Sequence, residues 1–174
     1  EGRVNSVKVE GGKRVVPQIS AMVKAGISVI GHIGLTPQTA HGNYRLFGKT
    51  VEEALLIYRD AVALQEAGVY AMVLESVPQE LATFITSKLH IPTIGIGSGS
   101  GTSGQVLVSN DMFGTSVGHV PKFAKQYKNV GSEMLAAFEE YKSEVAKNEF
   151  PNATFAPKCH MKEFDKFVEE ANKM

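Results

Sequence analysis

Apolar positions along this chain recur two residues apart in short runs and three to four apart in longer ones, so strands and helices are expected to alternate. Val4 to Glu10 (VNSVKVE) alternates apolar with polar and stops at Gly11-Gly12, which predicts a strand closed by a turn. Val15, Ile19, Met22 and Val23 then follow helical spacing, with Pro17 suited to a first turn and Gly26 to the far end. Ile27 to Gly31 predicts a second, fully buried strand. His32 to Lys49 is polar, carries three glycines and Pro37, and reads as a long loop and candidate lid. Thr50 caps a helix to about Ala67, with Glu52 and Glu53 where the helix dipole favours them, and Gly68 ends it. Val69 to Glu75 is a third strand, Pro78 and Gln79 open a helix to about Lys88, and Ile91 to Gly97 is a fourth strand.

Further along, Gly104 to Met112 reads as a short helix and Val117 to Val120 as a fifth strand. Val130 to Lys147 is a helix whose inner face would carry Met134, Leu135, Phe138, Tyr141 and Val145. Asn148 to His160 has two prolines and no period. Met161, Phe164, Phe167, Val168 and Ala171 then form one stripe among charges, predicting a docked or partner-seeking tail helix. Residues 1–150 thus form one unit and 151–174 a tail. Apolar strands alternating with amphipathic helices indicate a parallel sheet in an α/β protein. A closed (β/α)8 barrel takes about 250 residues. Only four or five βα units fit in this chain, so periodicity leaves either a doubly wound open sheet or half a barrel.

Composition narrows the function classes. Lys and Arg number 18 and so do Asp and Glu, so no net field draws the chain to nucleic acid or an anionic membrane. A small molecule or another copy of the chain is the expected partner. The single cysteine, Cys159, excludes an internal disulfide and any Cys-rich zinc pattern, in keeping with a reducing, intracellular compartment. No apolar run approaches the roughly 20 residues that span a bilayer. The chain begins at Glu1 and enters a strand pattern almost at once, so its start reads as cut rather than begun.

In either architecture the chemistry belongs at the carboxyl ends of the strands. Glu10, His32 and Glu75 stand there, and Lys8 shares a face with Glu10 because side chains two apart in a strand project the same way. Glu10 could ligate a hard divalent cation such as magnesium, or simply be a solvated strand end. Lys8, in an apolar strand, calls for an anion, either a substrate carboxylate or Glu10 itself. Glu75 closes a wholly apolar strand and suits a general base, against a capping or ion-pair role. His32 could polarise a carbonyl or be a satisfied structural residue. Gly99, Gly101 and Gly104 match the G-x-G-x-x-G dinucleotide fingerprint. They follow the fourth strand rather than the first, and no acidic strand end lies about 20 residues on, so a nicotinamide site is rejected.

The blocks VKVEGG (Val7 to Gly12), GHIGLTPQ (Gly31 to Gln38), VLESVP (Val73 to Pro78), IPTIGIG (Ile91 to Gly97), GQVLV (Gly104 to Val108) and HVPKFAK (His119 to Lys125) occur in one order. In that order the chain resembles the ketopantoate hydroxymethyltransferase family over about residues 4 to 150. The resemblance implies a (β/α)8 TIM barrel, of which this chain would be the C-terminal half. It also implies transfer of a hydroxymethyl group from 5,10-methylenetetrahydrofolate to 3-methyl-2-oxobutanoate, giving 2-dehydropantoate for pantothenate biosynthesis with Mg2+ assisting enolisation. By resemblance Lys8 and His32 bind the oxo acid, Glu10 belongs to the magnesium shell and Glu75 is the catalytic proton acceptor. No residue is assigned to the folate. The family's first strands, two magnesium-binding aspartates and a substrate-binding serine have no counterpart here. Ser103 stands where many members carry an aspartate, and the tail after about Asn152 matches no family pattern. Homo-oligomers, in cytoplasm or mitochondrion, are the family's implied setting. Two other readings remain open: a non-catalytic half-barrel that associates with a full-length enzyme, and a phosphoenolpyruvate mutase or isocitrate lyase-like barrel enzyme.

Overall fold

The computed structural model describes residues 3–40, 42, 44–118 and 120–174. Strands β1 (Val7–Glu10), β2 (Val29–Gly34), β3 (Ala71–Glu75), β4 (Thr93–Ile96) and β5 (Gly104–Gln105) form one parallel sheet in sequence order. Helices α1 (Val16–Lys24), α2 (Val51–Glu66) and α3 (Gln79–Lys88) make the first three crossovers. Crossovers between parallel strands are right-handed, so a strand order that never reverses puts every helix on the same face. The core has that form. Ile19 of α1, Ile57, Ala61 and Leu64 of α2, and Ala82 and Ile85 of α3 pack with Val29, Ile33, Met72 and Leu74 in one buried cluster. The sheet is therefore singly wound, as in barrel-type α/β proteins, and the doubly wound alternative is excluded.

Alternation sends the remaining strand residues to the opposite face. In register across it lie Lys8 with Ile30 and Ala71, Glu10 with His32 and Val73, and Glu75 with Ile96. Ile30, Val73 and Ile94 there are only half-buried, because the helices occupy the other side.

Several boundaries differ from the sequence reading. The second strand starts at Val29 and runs to Gly34, so His32 lies inside it and not after it. Gly31 is no terminator: a Cβ there would stand 3.0 Å from a Leu64 methyl, so the glycine lets α2 close onto the sheet. Gly104–Gln105 is strand, hydrogen-bonded beside β4, and the helix following it, α4, is confined to Ser109–Phe113. The described residues of Val117 to Val120 form no strand, and Val117 is fully exposed; His119 lies outside the described residues. Helices α5 (Val130–Ala146) and α6 (Met161–Ala171) form as periodicity predicts. Their apolar faces are not inner faces: Met134, Leu135, Phe138, Tyr141 and Val145 are all exposed, and no residue of α6 is buried. A stripe specifies which side of a helix is apolar, not what covers it.

The long segment after β2 is pinned at both ends to one place. Leu35 N–H donates to the Glu75 carbonyl (2.8 Å) and Phe47 N–H to the Ser76 carbonyl (2.9 Å). At the start of α2 the Thr50 side chain accepts from Glu53 N–H, while the Glu53 carboxylate accepts from Gly48 N–H (3.0 Å), Lys49 N–H (3.1 Å) and the Arg45 guanidinium (2.9 Å). The Arg45 bond, then the two backbone N–H groups, hold Glu53 below the usual carboxylate range. Its stabilising contribution is present above that range and is lost as pH falls through its own lowered value. Denaturation measured against pH should show the wild-type advantage over Glu53→Gln narrowing on acidification; a gap that widens would contradict the anchor. For the core, Leu74→Ala should cost about 3 kcal/mol in urea unfolding, and Leu56→Ala on the exposed side of α2 less than about 0.5 kcal/mol.

Candidate active site

At the carboxyl end of the sheet, β1, β2 and β3 carry Lys8, Glu10, His32 and Glu75 into one contiguous cluster, so all four residues singled out in the sequence meet. Lys8 Nζ lies 2.9 Å from His32 Nδ1 and donates to Glu10 Oε1 at 3.2 Å. Glu10 Oε1 is 3.5 Å from His32 Nδ1, and Glu10 Oε2 accepts from Gln38 N–H at 3.0 Å. On the far side of the ring, His32 Nε2 stands 3.2 Å from Glu75 Oε2, but off the line of a hydrogen bond, so this buried nitrogen has no hydrogen-bond partner among the described residues. Side-chain exposure separates the roles: His32 (2%) and Glu10 (6%) are enclosed, whereas Lys8 (42%) and Glu75 (15%) reach the open face.

Main-chain geometry aims Glu75. Ser76, directly after it, is buried with φ 51°, a left-handed conformation uncommon for a residue with a side chain. Its N–H donates to the Ile96 carbonyl (2.9 Å), which ties the turn to β4. Ser98, 1% exposed, donates to the Leu74 carbonyl (2.8 Å) and accepts from Val77 N–H (3.3 Å), bridging the end of β4 to both sides of that turn. Sequence reasoning missed Ser76, Ser98 and the Gln38 N–H. Ser76 lies within a block already noted, but neither its backbone angle nor a main-chain donor has a signature in residue type. Gly34 is needed for close approach, since with φ 88° a Cβ there would press on the Glu75 carbonyl and reach within 2.7 Å of Val77.

The glycines after β4 have a packing role. Gly99 and Gly101 lie so close to Gln79 and Thr83 of α3 that neither has room for a Cβ. Gln105 Nε2 donates to the Gly99 carbonyl (2.9 Å) and to Thr102 Oγ1 (2.8 Å), closing the loop on itself.

Magnesium takes six hard oxygen ligands, with water completing those the protein leaves open. Among the described residues no group of three His, Cys, Asp or Glu side chains could hold a metal ion. Both Glu10 oxygens already face donors. These residues by themselves do not fit a magnesium site.

A singly wound parallel sheet with two carboxylates, a lysine and a histidine gathered at its strand ends has these groups where barrel-type α/β enzymes carry their active sites. A family model described as ketopantoate hydroxymethyltransferase matches residues 1–153. Curated relatives named 3-methyl-2-oxobutanoate hydroxymethyltransferase include one from Emericella nidulans, 48% identical over 177 aligned residues that cover 98% of this chain and 51% of the relative. Another, from Moorella thermoacetica, is 50% identical over 154 residues, covering 87% of this chain and 57% of its own length. A third, from Thermoanaerobacter sp., is 47% identical over 154 residues, covering 87% and 56%. The chain belongs to the ketopantoate hydroxymethyltransferase family. It spans about half the length of the curated relatives it matches. The fungal match covers nearly the whole chain and so runs on into the tail beyond the family model, a segment in which sequence reasoning saw no family pattern. No helix of the described residues is long and apolar enough to cross a membrane.

Gly34→Ala should lower stability by about 1 to 3 kcal/mol, because its left-handed backbone and the Glu75 carbonyl both oppose a methyl group. An unchanged denaturation midpoint would show that this close approach does not constrain the turn.

Proposed function

We propose that the complete protein transfers a hydroxymethyl group from 5,10-methylenetetrahydrofolate to 3-methyl-2-oxobutanoate, with this chain supplying the base and the anion-binding side of the site. The observation that carries the reading is the convergence of Lys8, Glu10, His32 and Glu75 on one strand-end rim in a chain of this family. Glu75 is the catalytic base: its carboxylate reaches the open face and takes the C3 proton of the oxo acid, leaving the C–H electron pair as an enolate. The enolate carbon then bonds to the methylene carbon of the folate as one of that carbon's two C–N bonds breaks with its electron pair going to nitrogen. The second C–N bond breaks as water supplies the hydroxyl, and tetrahydrofolate leaves. Lys8 spends one N–H on Glu10 and another on His32, and its third is free to bind the oxo acid's carboxylate. His32 lines the same site.

Magnesium and the folate are proposed for the complete protein, and magnesium would supply Lewis-acid stabilisation of the enolate. Glu10 is the one residue of this cluster offered to that shell, and its remaining ligands would come from outside this chain. Closure of the sheet into a (β/α)8 barrel, homo-oligomerisation and an intracellular setting in cytoplasm or mitochondrion belong to the same proposal. Family membership favours it over a lyase-like barrel enzyme.

Exchange of the C3 proton of 3-methyl-2-oxobutanoate in D2O with Mg2+ tests the base without needing folate. Exchange is expected once the rest of the barrel is supplied, and Glu75→Gln should slow it by about 10²- to 10⁴-fold. Silence with and without that complement would instead support the non-catalytic half-barrel.

A further inference from the structure

We propose that Lys8 selects the tautomer of His32, so that the ring keeps its proton on Nε2 and presents it at the rim as a hydrogen-bond donor to an oxygen of the bound oxo acid. The tautomer follows from contacts alone; the role toward the oxo acid rests on the function proposed above.

A lysine ammonium has three donors and no acceptor. At 2.9 Å from Lys8 Nζ, Nδ1 has to offer a lone pair, since a proton on it would set two donors head to head. The competing acceptor on that side, Glu10 Oε1, is farther from Nδ1, at 3.5 Å, and already accepts from Lys8 at 3.2 Å. On the other side of the ring stands a carboxylate oxygen, Glu75 Oε2, 3.2 Å from Nε2. A cation beside Nδ1 and an anion beside Nε2 both favour the same arrangement, with the lone pair toward Lys8 and the N–H toward Glu75. Lys8 and Glu10 of β1 and Glu75 of β3 are the ionisable groups in contact with the ring among the described residues.

The contact with Glu75 is not a hydrogen bond, so among the described residues Nε2 is a buried polar atom without a partner, in a residue only 2% exposed. Burying such a donor unpaired is costly, and a ligand oxygen that takes the place of Glu75 Oε2 beside Nε2 would relieve it. The opposite tautomer would turn a lone pair toward that oxygen and toward the carboxylate, repelling both. A fixed N–H there meets negative charge as it develops on the substrate oxygen, with no bond to the ring broken. Lys8 is in this respect a positioning residue acting through His32.

Long-range proton–nitrogen correlation NMR of the 15N-labelled chain reads the tautomer directly, with the His32 ring identified by its absence in His32→Gln. The expected wild-type pattern is protonated Nε2 and bare Nδ1. In Lys8→Met, with folding verified by the backbone amide spectrum, the preference should be lost or reversed toward Glu10. A wild-type ring protonated at Nδ1, or at both nitrogens, overturns the proposal, and this reading needs no variant. An unchanged pattern in Lys8→Met also overturns it. Adding 3-methyl-2-oxobutanoate to the chain with its barrel complement should shift the Nε2 resonance. An unmoved resonance in a complex that still performs C3 exchange would remove the ligand-facing role, while absent exchange with the expected tautomer would count against the proposed function alone.

Discussion

Right-handed crossovers between parallel strands of unreversed order govern this molecule. Because α1, α2 and α3 all cross on one side, the core forms there and the strand residues of opposite parity turn away from it. A strand residue of that parity can therefore be polar without entering the core. Lys8, Glu10, His32 and Glu75 all use that freedom, and register across β1, β2 and β3 brings them together. Had the strand order reversed, helices would cover both faces and these charges would have been buried.

Within the cluster, enclosure differs by residue, and that difference sets what each can do. Glu10 is held by Lys8 and the Gln38 N–H, so its charge is met inside the protein. Glu75 has a carboxylate on the open side and a main chain locked from behind by Leu35, Ser76 and Ser98. A rigid backbone under an accessible carboxylate suits a group that must meet a C–H bond at a defined place. Close approach of the two strands at Gly34 makes this possible, since a Cβ there would press on the Glu75 carbonyl, while one at Gly31 would press on Leu64 of α2.

The half-buried apolar residues on the polar-rim face, together with the exposed stripes of α5 and α6, give this chain more uncovered apolar surface than its compact helix-side core would suggest. Matching about half the length of its relatives accounts for the sheet face on the barrel proposal: Ile30, Val73 and Ile94 would then line an interior that the remaining strands complete.

The alternation of strands and helices was legible in the sequence because period-2 and helical spacing are local, and so were the Thr50 cap and the rim candidates, which sit at predicted strand ends. Gly31 and Gly104 were misread as a strand end and a helix start, since a glycine demanded by a neighbouring Leu64 or Ile94 looks the same in sequence as one that ends an element. The aromatic and aliphatic stripe of α5 was readable as a stripe but not as exposed. Ser76, Ser98 and the Gln38 N–H stayed hidden because their roles are a backbone angle and main-chain hydrogen bonds. By itself the sequence determined which residues share a strand face and that the first four strands alternate with three helices, because both depend on spacing along one chain. Only the tertiary structure decided that the sheet is wound one way, that His32 lies between a cation and a carboxylate, and that Nε2 is left without a partner among the described residues, because these depend on distances between segments far apart in sequence.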